Sequence, residues 1–202
     1  CKKRGIYSIM SDINPQNRFK PNAAPRLSVR IAECALFIVL MVVSAFIRIP
    51  IPYVPITFQT VVAVLAGLLL GAKWGAASVA IYVFMGLLGL PVFTAGGGFA
   101  YVFELTFGYI LGFVAAAFAA GLARGKGQLT LARAVVASLI GVAANYVVGI
   151  PYFMLIWKFY MHLGGMANAL IMYNLIYIPK DVVLSVLAAV LAERVAKLIA
   201  KR

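Results

Sequence analysis

A chain of 202 residues that is 64% hydrophobic and 11% charged carries more apolar surface than a soluble domain of this size can hide. Its net charge of +13, from 18 Lys and Arg against 5 Asp and Glu, would suit a nucleic-acid binder, yet seven of the basic residues precede the first apolar run and four close the chain. Basic flanks of that kind are topology signals of membrane spans, so the expected surroundings are a lipid membrane and no nucleic acid.

Residues 1–30 read as a polar, basic N-terminal segment in which no cleavable signal peptide is expected, and residues 31–202 as a transmembrane domain of six helices. From Ile31 to Ala123 only Glu33, Arg48, Lys73 and Glu104 are charged, which leaves apolar runs of spanning length. The first predicted helix covers Ile31 to Ile49 and stops at Pro50, within a Pro-rich run ending at Pro55. Pro55 is expected to open a second helix that reaches Gly71, and Lys73 marks a minimal turn. A third helix is predicted over Trp74 to Leu90, closed by Pro91, and Val92 to Glu104, with Gly96, Gly97 and Gly98, reads as a loop. The fourth covers Leu105 to Ala123. After a polar turn bracketed by Arg124, Lys126 and Arg133, the fifth runs from Ala132 to about Trp157, with Pro151 expected to kink it. A long connection from Lys158 to Pro179 precedes the sixth, Asp181 to Ile199.

With both termini cytoplasmic, fifteen of the Lys and Arg lie inside and only Arg48, Lys158 and Lys180 outside, the orientation that positive residues favour. The turn at Lys73 is then short, while the three outside connections are long and rich in Pro, Gly and Tyr. These extracellular loops, Pro50 to Gln59, Gly96 to Glu104 and Lys158 to Asp181, are the expected ligand site.

Small residues recur every four positions at Ala63, Gly67 and Gly71 and at Gly108, Gly112, Ala116 and Ala120, which suits close packing of helices within the chain, docking of a partner being the alternative. His162 is the only histidine, and the cysteines, Cys1 and Cys34, give neither disulfide framework nor metal spacing. No metal, no cofactor and no enzymatic activity are therefore expected, since a nucleophile would lack a base. Gly121 to Gly127 fails as a phosphate loop: the glycine spacing is one short and Gly127 stands where Ser or Thr is needed. Active transport would thus need an external motor.

Ionisable groups at membrane depth are costly and point to function. Lys180 and Asp181 follow Pro179 at a helix start, where a substrate carboxylate could pair with Lys180. Asp181 and Asn145 could supply the paired hydrogen bonds that a urea-like or amide head group needs. Alternatively, Lys180 snorkels to the interface and Asp181 caps its helix.

The runs AFIRIPIPYVPITFQT (Ala45 to Thr60), GLLGLPVFTAGGG (Gly86 to Gly98), FGYILGF (Phe107 to Phe113), ANYVVGIPY (Ala143 to Tyr152) and IPKDVVL (Ile178 to Leu184) resemble the BioY family, the biotin-binding S components of energy-coupling factor transporters. The resemblance implies a plasma-membrane protein that binds biotin from outside and works with a transmembrane coupling subunit and two cytoplasmic ATPases. With biotin as the ligand, its ring is expected near Tyr53, Phe93, Tyr101, Tyr146 and Tyr152, beside the loop residues Thr94 and Gly97, with Asn145 and Asp181 reading the ureido group and Lys180 meeting the carboxylate. Where the family's last motif has Gly and, after Asp and two apolar residues, Lys, this chain has Lys180 and Leu184; and Ala35 is followed four residues on by Val39 rather than Ala. A binding subunit for another vitamin and a structural or channel-like membrane protein are the rival readings.

Overall fold

The structure, a computed structural model, describes residues 27–50, 53–162 and 164–200. The basic segment expected over residues 1–30 thus falls, up to Arg26, outside the described residues, as do Ile51 and Pro52 of the Pro-rich loop. Among the described residues seven α-helices follow in order: α1 (Leu27–Phe46), α2 (Gln59–Leu70), α3 (Ala72–Leu87), α4 (Phe107–Ala123), α5 (Leu131–Leu155), α6 (Met166–Tyr173) and α7 (Ile178–Ala200). One two-stranded hairpin, β1 (Arg48–Ile49) and β2 (Ile56–Thr57), pairs Arg48 with Thr57 and Ile49 with Ile56. By length and composition three stretches can cross a membrane, Leu27–Phe46, Leu131–Tyr160 and Met166–Ile199; α2, α3 and α4 are apolar but shorter.

Two differences from the expected boundaries shape the molecule. The first helix ends at Phe46 rather than Ile49, because Ile49 precedes Pro50, and a residue before proline is pushed out of the α region. For the same reason Val54 cannot lead a helix into Pro55; α2 starts only at Gln59, and the β-branched Ile56 and Thr57 pair with the first strand instead. Further on, the connection after α5 is not irregular. Residues Ile156–Tyr160 continue α5 as a π turn, and α6 forms within the expected loop. Helix α7 begins at Ile178, taking Pro179 into its first turn, where the missing N–H costs nothing.

Small residues set the packing. A methyl group on Gly67 would run into the carbonyl of Ala117 on α4, and one on Gly121 would meet the backbone of Ala72 on α3, so these helices touch backbone to backbone. The glycine stripe of α2 is used inside the chain. Gly71 has φ +82°, which lets α2 turn directly into α3. Arg124 closes the same end, its guanidinium donating to the carbonyls of Leu68 and Leu69 that α2 leaves unpaired. The tightest pair, α4 against α5, forms the floor on which the site rests.

Candidate functional site

The late start of α2 leaves a cavity of about 560 Å³ of empty space, partly open to solvent, between the hairpin, α4, α5 and the start of α7. Walls from Pro55, Ile110 and Phe113 with a few polar groups among them suit a small, partly apolar ligand. The polar groups converge from three helices. Asn145 on α5 is 1% exposed and lines the cavity, and its Oδ1 has no hydrogen-bond partner. Gly112 makes room for it: a side chain there would collide with that same oxygen. Beside it Tyr146 donates its hydroxyl to Asp181 Oδ2 at 2.6 Å.

Asp181, 4% exposed, sits in the first turn of α7, where its charge suits the helix N-terminus. Its Oδ1 lies 2.7 Å from Lys180 Nζ, an ion pair without the alignment of a hydrogen bond. Lys180 also donates to the Thr57 carbonyl at 3.0 Å, and Tyr177 donates to the Val54 carbonyl at 2.9 Å, so the start of α7 holds the hairpin down. Such buried charges persist only when paired. The pair presents no net charge to the cavity.

Of the ten residues expected at the site, Asn145, Tyr146, Lys180, Asp181 and Thr94 line this cavity together. Tyr53 and Tyr101 line an adjoining chamber, which Thr94 shares. Phe93, Tyr152 and Gly97 line neither. Phe93 is 1% exposed and packs beneath the loop, filling the space that Gly86 leaves on α3 and meeting the rings of Tyr82 and Tyr101. Tyr152 lies over Gly108 and donates to the Val102 carbonyl, which anchors the 3₁₀ turn Phe99–Phe103. Gly97 is exposed, and a side chain there would strike the Leu90 carbonyl.

Several lining residues were not singled out in the sequence. Gln59 at the start of α2 donates to the Tyr82 hydroxyl at 2.7 Å, which in turn donates to the Val92 carbonyl at 3.1 Å. Tyr109, which lines the cavity, donates to Oδ1 of the fully buried Asn174 behind it. A lone glutamine in an apolar run was a visible sign of Gln59. Tyr109 and Asn174, 65 residues apart, carried none.

A bundle of apolar helices around a small cavity, with its polar groups gathered on one floor, defines a membrane protein that binds a small molecule. The BioY family model matches residues 16–201, and the chain belongs to the BioY family. It is 39% identical over 165 residues to a probable biotin transporter BioY of Lysinibacillus sphaericus, covering 81% of this chain and 84% of that one. With a biotin transporter BioY of Thermotoga maritima it shares 32% identity over 174 residues, 86% of this chain and 99% of the relative. A crystal structure of the S-component for biotin from an ECF-type ABC transporter superposes with a TM-score of 0.73 at 27% identity, over 87% of this chain and 95% of that one. The all-helical fold is thus that of an S-component.

Proposed function

We propose that this chain captures biotin at the plasma membrane and serves its uptake as the S component of an ECF-type ABC transporter. It is a multi-pass membrane protein and a transport protein, not an enzyme. The observation that carries the substrate is the cavity floor, where the Asn145 carboxamide, its Oδ1 without a partner, lines the same cavity as a carboxylate, Asp181, that is already charge-balanced by Lys180. A ureido ring is neutral, with one carbonyl to accept and two N–H groups to donate. A carboxamide can serve either need and a carboxylate accepts N–H, so a charge-neutral floor of this make-up suits it.

The fused ring then lies against Tyr146, Ile110 and Phe113, and the family's coupling arrangement supplies the motor that this chain lacks. On this reading all six long helices traverse the membrane, both termini face the cytoplasm, and residues 31–202 form the binding domain behind a basic lead. A transmembrane coupling subunit and two cytoplasmic ATPases complete the transporter.

Equilibrium binding of radiolabelled biotin to the purified chain, with a panel of other vitamins as competitors, tests the assignment. Saturable binding that only biotin displaces is expected. Displacement by a different vitamin moves the substrate, and a flat response to the whole panel removes the capture function.

A further inference from the structure

Resting on the biotin reading, we propose that the ligand's carboxylate is received in the adjoining chamber, by Arg48 and a chain of three hydroxyls, and not by Lys180. The chamber is open to solvent and shares Pro55, Thr94 and Thr106 with the main cavity, so one ligand can extend from one into the other. Its cation is Arg48 on β1, which is exposed and donates to the Thr94 carbonyl. Among the described residues no carboxylate lies within 4 Å of it, whereas Lys180 is already matched by Asp181 and bonded to Thr57. An added anion at Lys180 would crowd against Asp181; at Arg48 it meets a guanidinium with no carboxylate within 4 Å and N–H groups to spare.

The hydroxyls supply the second contact. Thr94 Oγ1 lies 2.9 Å from the Tyr101 hydroxyl, which lies 3.2 Å from Thr106 Oγ1, along the wall that joins the two spaces. Three hydroxyls carry three protons and the two contacts use two of them, so one proton remains for an acceptor brought by the ligand. Glu104 lines the same chamber and opposes an anion there, which makes the net attraction depend on Arg48.

The experiment compares biotin with its uncharged amide on three purified proteins: the unaltered chain, Arg48→Gln and Lys180→Met. Gln keeps a donor for the Thr94 carbonyl, and the amide reports any general damage to the fold. Arg48→Gln should weaken the acid about tenfold or more while leaving the amide nearly unchanged. Lys180→Met should weaken both ligands by the same factor, because Lys180 acts on the hairpin and on Asp181. An equal loss for acid and amide at Arg48→Gln, or none, overturns the inference. Acid-selective loss at Lys180→Met as large as that at Arg48→Gln overturns it as well. Absence of saturable biotin binding by the unaltered chain is a different failure, visible before any variant is compared, and it removes the biotin reading together with this one.

Discussion

Asp181 touches both neighbours that define the cavity floor, Tyr146 through Oδ2 and Lys180 through Oδ1. Replacing it with Asn keeps the shape and lets one oxygen still accept from Tyr146, but turns an NH₂ toward an ammonium and leaves Lys180 without its counter-charge. Asp181→Asn should therefore lower biotin affinity by about 1 to 3 kcal/mol, roughly five- to 150-fold. Because the change lies at the head group, the biotin amide should lose as much. Titration of both ligands against the folded variant checks this, and an unaltered affinity would remove Asp181 from the site. This residue and Asn145 were legible in the sequence because polar groups in apolar runs are expensive and few. The company they keep was not. That Lys180 spends its hydrogen bond on the Thr57 carbonyl, 123 residues away, follows only from how the hairpin folds over α7.

At the scale of elements, the feature that creates the site is a helix that starts late. Two prolines, Pro50 and Pro55, divert the chain between α1 and α2 into a hairpin, so α2 has only 12 residues, about 18 Å of helix against a hydrocarbon core of about 30 Å. The six long helices could be read from apolar runs and punctuating Pro, Gly and Lys, with ends off by a few residues. Helix α6 could not: within its stretch, Met166–Tyr173, the single buried residue is Ala169, too weak a pattern to separate from loop. Close packing compensates the shortness of α2. The contact of Gly67 with the Ala117 carbonyl leaves no space for a side chain, so Gly67→Val should cost about 1 to 3 kcal/mol of stability. A lowered midpoint in a thermal unfolding assay in detergent is the expected result; an unchanged midpoint would mean that α2 and α4 can separate freely.

For the whole molecule, the two rings of loops differ in kind. At one end lie the tight joint at Gly71 and the Gly125–Gly127 turn; at the other lie the hairpin, the Gly96–Glu104 loop and α6, which surround the cavity. On the proposed orientation the first end faces the cytoplasm. Single cysteines at Lys126 and Gly97, in a chain otherwise freed of Cys1 and Cys34, test that assignment with an impermeant thiol reagent on intact cells. Gly97→Cys should be labelled and Lys126→Cys protected; the reverse pattern would invert the protein and put its capture face on the wrong side. Charge counting proposes this orientation from sequence, since it needs only the order of the spans. It could not reveal that the cavity divides into a neutral floor and a charged antechamber, which depends on side chains from distant segments meeting.

Tyr53, at φ +66° and 47% exposed, has its ring edge-on to Trp157 at 5.3 Å and to Tyr173 at 5.1 Å. Tyr53 borders the antechamber and Tyr173 the main cavity, so Trp157 rests against both walls of the space a ligand fills. The other tryptophan, Trp74, stands at the start of α3, its carbonyl facing Cys34 of α1. One of the chain's two indoles thus packs against rings that line the two spaces, and the other lies at the start of α3. Ligand entry is therefore expected to alter the emission of Trp157 and to leave that of Trp74 unchanged, which fluorescence of single-tryptophan variants checks in otherwise unlabelled protein.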